Sequence, residues 1–294
     1  MVVKFIAEQG KTPVTLFHKL MHGLTGSILH GDEGREEVDL ADTRGVSIKI
    51  DKLNKYYGDN HVLKDIDLTI LTGETFSIIG PSGTGKSVLL KHIVKLETPD
   101  SGEIFIDGDP LFATRNNKNN GTRNYRFSMV FQSSALFNSL TVGENVGLWL
   151  REKRVCKENR IREIIHEKLT MVGLEGKEGL QTSELSGGMK KRVAIARSLA
   201  MNPDLILYDE PTAELDPINT DELANTILKL KETTKNTTVI VSHDLNFALY
   251  ISDRIAMIHD GRIVEVGTPR DIKASRNPVV RGFIHTTTKG IKGD

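Results

Sequence analysis

The chain has 294 residues, 38% of them hydrophobic and 27% charged, with equal numbers of acidic and basic side chains and a formal net charge of zero. That balance describes a globular protein with ample material for a core, and it encodes no bulk electrostatic pull toward nucleic acid. No apolar run approaches the ~18–20 residues needed to cross a bilayer and the N-terminus does not read as a secretory signal, while Cys156, the only cysteine, excludes an intrachain disulfide and fits a reducing compartment.

Residues 1–45 read as an extension, partly helical or flexible. Val14, Phe17, Leu20, Met21, Leu24 and Ile28 recur at helical spacing, while Gly23 and Gly26 weaken the helix. His18 and His22 stand four apart, but without a third ligand nearby they read as a solvated face rather than a metal site. The acidic stretch 32–37 reads as a linker.

From Val46 the pattern turns β-rich. Residues 46–50 and 66–70 alternate at period two, and 75–79 form an apolar strand. Ser101-Gly102 reads as a turn before a strand at 103–106, 115–124 as a polar loop, and 127–131 as a buried strand. Helices are expected at 142–151 and 157–172, the second with Ile161, Ile164, Ile165 and Leu169 on one face. Strands at 205–208 and 238–241 then alternate with helices at 220–230 and 245–251, which argues an α/β fold with a mostly parallel sheet. A hairpin of 254–259 and 262–266, turning at Asp260-Gly261, closes it. The organisation expected is an extension 1–45, a main domain 46–275 carrying an antiparallel β subdomain and an inserted helical subdomain at about 133–202, and a tail 276–294.

The strongest chemical signal is Gly80-Pro81-Ser82-Gly83-Thr84-Gly85-Lys86-Ser87, placed between an apolar strand and a helical pattern. Strand, glycine-rich loop and helix make a phosphate site, because glycines let successive N–H groups face inward and the helix N-terminus adds unpaired donors. Lys86 can then reach β- and γ-phosphates, and the Ser87 hydroxyl can ligate Mg²⁺. A second apolar strand ends in Asp209-Glu210. Asp209 is placed to hold Mg²⁺ and Glu210 to orient an attacking water as general base. Leu185-Ser186-Gly187-Gly188 opens a further helix, with Val193, Ile195, Ala196, Leu199 and Ala200 inward. Ser-Gly-Gly at a helix start offers hydroxyl and N–H donors to an anion, although an ordinary serine N-cap has the same look.

In these motifs the chain resembles the ATP-binding cassette (ABC) ATPases, a P-loop NTPase family, over residues 46–275. Leu185-Ser186-Gly187-Gly188 matches the family signature, Gln132 the Q-loop glutamine, His243 the switch histidine, and Leu215-Asp216 the D-loop. Tyr57, just before Gly58, stands where the family has an aromatic that stacks on adenine. The resemblance implies ATP and Mg²⁺ as cofactors. Glu210, His243, Lys86 and Gln132 would serve catalysis, and Ser87, Gln132 and Asp209 the metal. Two cassettes would pair head to tail, with Ser186, Gly187, Gly188 and Asp216 contributing to nucleotide binding across the pair. A homodimer is the economical form of a single cassette. Met189 departs from the usual glutamine and lacks its amide hydrogen bonds, and Glu214 departs from a usual small residue.

Residues 131–146, 183–192 and 277–284 are similar to the ATPases of MCE-type phospholipid transporters, including the outer-membrane lipid-asymmetry system and the plastid trigalactosyldiacylglycerol importer. That similarity implies an integral membrane permease and an MCE-domain lipid-binding protein as partners, with no nucleic acid. The location implied is the cytoplasmic face of the inner or plasma membrane, or the stroma of a plastid. Leu136, Phe137, Leu140, Val142, Val146, Leu148, Trp149 and Leu150 mark a region for docking, about half of it expected to be core. A transporter ATPase for another substrate, and a soluble ABC ATPase without a transport role, stay open as alternatives.

Overall fold

A computed structural model describes residues 45–112 and 125–289. The helical spacing before residue 45, His18 and His22, the acidic stretch and the 115–124 loop lie outside the described residues.

Strands β1 (Ile48–Tyr57) and β2 (Asn60–Ile70) form an antiparallel pair. The chain then enters the central sheet as β3 (Thr75–Ile79) and leaves it through the glycine-rich loop into α1 (Lys86–Ile93). β4 (Ser101–Ile106) and β5 (Asp109–Pro110) return to the first pair, completing a four-stranded antiparallel sheet in the order β2-β1-β4-β5. After β6 (Phe127–Val130) come three helices, α2 (Val142–Glu152), α3 (Glu158–Met171) and α4 (Gly187–Leu199). β7 (Leu205–Asp209), α5 (Pro217–Thr234), β8 (Thr237–Ser242) and α6 (Leu245–Ile251) alternate. The hairpin β9 (Arg254–His259) and β10 (Arg262–Gly267) precedes α7 (Pro269–Lys273) and α8 (Pro278–Lys289). The central sheet has the order β10-β9-β3-β8-β7-β6, and only the β10–β9 pair is antiparallel.

Strand periodicity divides the core. Leu205 and Leu207 of β7, with Val239 and Val241 of β8, face the cluster that includes the antiparallel sheet and α1. Ile206, Tyr208 and Ile240 face the opposite cluster, built with α2, α3, α4 and α5. Both faces are covered, as a parallel sheet requires. The topology also fixes where chemistry sits. β3, β8, β7 and β6 are parallel neighbours, so Gly80, His243, Asp209 and Gln132 all emerge at or just beyond their C-terminal ends. That end of an open α/β sheet is where ligands bind.

Three details differ from the sequence reading. β1 and β2 are longer than 46–50 and 66–70, because bulges between Ile50 and Tyr56 let pairing continue past polar residues that break the alternation. Ser101 and Gly102 belong to β4 rather than to a turn. Gly102 has φ 85, and a Cβ there would stand 2.2 Å from the Lys52 carbonyl oxygen, so the pattern of a turn glycine is a strand crossing a bulge. α5 extends beyond 220–230 at both ends, with Asp216 as its N-cap and Pro217 in its first turn. The helices at 142–151, 157–172 and 245–251 and the Asp260-Gly261 hairpin formed as read.

Candidate functional site

Burial of all five residues of β3 fixes the strand that launches the phosphate loop. Gly80 has φ 154, and a Cβ there would lie 2.3 Å from the Ile258 carbonyl oxygen. Gly85, the N-cap of α1, has φ 98 and sits against Leu63 and Val62. A side chain at Gly80 would require backbone to move, and at Gly85 the left-handed φ strains any residue with a Cβ. Lys86 is buried and donates from Nζ to the Gly80 carbonyl at 2.9 Å and the Pro81 carbonyl at 3.0 Å. Thr84 Oγ1 donates to the same Pro81 carbonyl at 2.9 Å, while Ser82 and Gly83 are exposed at the loop tip. The loop is thus folded around the lysine ammonium.

Two adjacent strand ends complete this cluster. Ser87 Oγ donates to Asp209 Oδ1 at 2.8 Å, and Lys86 Nζ lies 3.5 Å from Glu210 Oε1. Glu210 Oε2 accepts from the His243 backbone N–H at 3.1 Å and lies 2.7 Å from His243 Nδ1. Glu210 is held at φ 48, and its own N–H donates to the Val241 carbonyl at 2.9 Å, so β8 positions the carboxylate directly. Burial pushes the Asp209 carboxyl above the usual range, against the Ser87 bond and with help from the neighbouring Glu210 charge. Burial also pushes the Lys86 ammonium down, against the pull of Glu210 and Asp209. The Ser87 and Asp209 oxygens are hard donors, and among the described residues no group of three acidic, histidine or cysteine side chains converges. That donor set suits Mg²⁺, which takes one or two protein ligands and keeps phosphate and water for the rest.

The remaining sequence-predicted residues lie on other elements. Ser186 caps α4, its Oγ accepting from Met189 N–H at 3.2 Å, and is exposed with Gly187. Gly188 packs against the Asn219 side chain, which donates to Asp216 Oδ2 at 2.5 Å. Asp216 Oδ1 accepts from the Asn219 N–H at 2.9 Å, and these bonds to Asn219 hold the Asp216 carboxyl below the usual range. Gln132 is exposed and its backbone carbonyl accepts from Lys191 Nζ. Met189 packs half-buried against the helical cluster, and Glu214 is exposed at φ 68. Tyr57 is 46% exposed, with Lys55 Nζ 5.6 Å from its ring centroid. Its hydroxyl donates to Glu97 Oε2, and Lys91 Nζ of α1 donates to Glu97 Oε1 at 3.1 Å. Burial, then the Glu97 bond, push the phenol well above its ordinary range.

Sequence reasoning missed Lys191, Arg197, Asn219 and Glu97. Helical lysines and arginines are ordinarily solvated, yet Lys191 and Arg197 of α4 are both buried. The available signal was the run Val193 to Leu199, whose apolar and small residues leave the helix no polar face. Of the eight residues in the docking region, Val142, Val146, Trp149 and Leu150 are core, whereas Leu136, Phe137, Leu140 and Leu148 are half-buried.

The model of the family described as ABC transporter matches residues 63–213. A probable ribonucleotide transport ATP-binding protein, mkl, of Mycobacterium tuberculosis is 39% identical over 82% of this chain and 67% of its own length. The chloroplast protein trigalactosyldiacylglycerol 3 of Arabidopsis thaliana is 38% identical over 84% of this chain and 76% of its own length. The glutamine transport ATP-binding protein GlnQ of Geobacillus stearothermophilus is 42% identical over 75% of this chain and 90% of its own. Among solved structures, the dimeric ATP-binding cassette MJ0796 bound to ADP and Pi superposes with a TM-score of 0.66 at 35% identity, over 76% of this chain and 99% of that one. With a nucleotide-type loop, an acidic strand end and a capped signature helix on an ABC cassette fold, the chain belongs to the ABC transporter ATP-binding proteins and is an ATP hydrolase.

Proposed function

We propose that this chain is the ATPase subunit of a phospholipid transporter, acting as a head-to-tail homodimer beneath a separate membrane permease. The observation that carries the catalytic part is the convergence of Lys86, Ser87, Asp209, Glu210 and His243 at three neighbouring strand ends. The glycine-rich loop from Gly80 to Gly85 turns its N–H groups on the β- and γ-phosphates, and Lys86 supplies a fixed positive charge. Tyr57 stacks on adenine. Glu210 accepts the proton of the attacking water, while His243, already on its carboxylate, keeps that oxygen in position. Ser87 and Asp209, with Gln132 at the edge, would hold Mg²⁺, which neutralises charge on the transferring phosphoryl group.

Ser186 caps α4, and Gly188 packs against Asn219, the partner of Asp216, which supports these residues serving a second copy's ATP together with Gly187 and Asp216. That the similar cassette MJ0796 is dimeric in two solved structures supports pairing of two copies. ATP then bridges the two copies and hydrolysis releases them. Among the described residues no helix is long and apolar enough to cross a membrane. The half-buried Leu136, Phe137, Leu140 and Leu148, which follow Gln132 in the chain, are where a permease helix would dock. The permease would hold the chain at the cytoplasmic face of the inner or plasma membrane, or in a plastid stroma. The proposed division remains 1–45, 46–275 and 276–294.

Lipid as cargo rests on the 131–146, 183–192 and 277–284 segments and on similarity to trigalactosyldiacylglycerol 3 and mkl. The 42% identity to a glutamine transport protein supports a second reading, a transporter of another substrate. Affinity purification of the full chain from detergent-solubilised native membranes tests this. Co-recovery of an integral permease with an MCE-domain protein and bound phospholipid is expected. A permease accompanied only by a water-soluble solute receptor would replace lipid with another cargo, and ribosomes or repair factors would overturn a transport role.

A further inference from the structure

The helix that begins at Ser186 also grips the Gln132 loop from inside. Lys191, 4% exposed, donates Nζ to the Gln132 carbonyl. Two turns further along, Arg197, 7% exposed, donates Nη1 to the Ala135 carbonyl at 2.7 Å and Nη2 to the Ser134 carbonyl at 2.9 Å. The loop is bent to meet these donors, since Ser134 (φ 60) and Ala135 (φ 46) are consecutive non-glycine residues in the left-handed region. Such strain persists only where surrounding contacts over-determine it, and here the contacts come from two buried cations of one helix. Burial pushes the Arg197 guanidinium down to about 10, so parting the loop from α4 would strip buried charges of these acceptors.

We infer that Lys191 and Arg197 are positioning residues that fasten the Gln132 loop to α4, so that the loop and the Ser186–Gly188 end of the helix move as one rigid piece. The consequence rests on the reading that Ser186–Gly188 faces a second copy's ATP: a push on the loop is delivered to the partner's nucleotide without passing through the chain's own phosphate loop. None of the fastening atoms belongs to the Lys86 cluster.

The test uses the full chain carrying Glu210→Gln, with Lys191→Met, Arg197→Lys and Ser186→Phe added singly. Hydrogen exchange of the 132–136 amides and ATP-driven dimerisation by sedimentation are read together with monomer affinity for ATP. Lys191→Met should raise exchange in the loop and weaken dimerisation by about tenfold each while ATP affinity stays within about twofold, and Lys191→Arg should restore both. Arg197→Lys, which keeps charge but loses the fork, should act in the same direction. Loop exchange and dimerisation at native values in both cation variants would overturn the fastening, and faster exchange with undiminished dimerisation, while Ser186→Phe abolishes it, would overturn the delivery of loop motion to the partner's nucleotide. If Ser186→Phe leaves dimerisation intact, the composite-site reading fails, and the exchange data still judge the fastening.

Discussion

Replacing Glu210 by Gln preserves shape and removes one proton acceptor. The side chain is 13% exposed and has two distinct neighbours, His243 on Oε2 at 2.7 and 3.1 Å and Lys86 at 3.5 Å from Oε1. An amide cannot satisfy both. With its oxygen toward His243 it turns an NH₂ on the Lys86 ammonium, and with its oxygen toward Lys86 it turns the NH₂ on a backbone N–H. The structural penalty is one hydrogen bond, about 1 kcal/mol, and the backbone at φ 48 suits Gln no worse than Glu. The chemical penalty is larger, because general-base assistance contributes about 10²–10⁴, or about 2.7–5.4 kcal/mol of barrier. Phosphate release under steady-state conditions should therefore fall by two to four orders of magnitude, while ATP affinity by equilibrium binding changes less than about fivefold. Sedimentation with ATP should show an accumulated dimer. A kcat within threefold of the native chain would refute the assignment of the base.

Asp209 predicts an opposition between stability and function. Its folded pKa is raised, chiefly by burial, so the unfolded carboxyl ionises more readily and stability is lost as pH rises through the carboxyl's folded pKa. Asp209→Asn should raise the thermal midpoint of the nucleotide-free chain at neutral pH, narrow its decline across that range, and abolish Mg²⁺-dependent turnover; a lowered midpoint would contradict the burial argument. Gly188→Ala places a Cβ 2.2 Å from Asn219 Oδ1 and 2.9 Å from its Cγ. The Asn219 side chain must then leave Asp216 Oδ2, which costs about 1 kcal/mol for one side-chain hydrogen bond while the backbone cap from Asn219 N–H to Asp216 Oδ1 stays, and calorimetry should register that loss alongside weakened ATP-driven dimerisation.

Local pattern made much of this legible. Period-two runs gave the core strands, and the loop from Gly80 to Ser87 announced its own strand–turn–helix context. Legibility failed where tertiary partners override local rules. Gly102 reads as a turn residue and is a strand residue, because the carbonyl of Lys52 crosses it. Nothing in the sequence singles out Arg197, and only the packing of α4 between the central sheet and the other helices makes it internal. The contact between Asn219 and Gly188 joins residues more than 30 positions apart, which no short spacing encodes. Asp216 was legible as part of a motif, while its task of capping α5 follows from the run Asp216-Pro217.

The claim that each ATP site is shared between two copies has a direct test by mixing. Lys86→Ala removes the phosphate-loop charge, and Ser186→Phe blocks the face offered to the partner, so each variant alone should be inactive. A mixed dimer contains one site built from an intact Lys86 of one copy and an intact Ser186 of the other. Random pairing makes half the dimers mixed with one good site of two, so the equimolar mixture should recover up to about a quarter of native turnover. A mixture no more active than the sum of its two components would contradict the shared site.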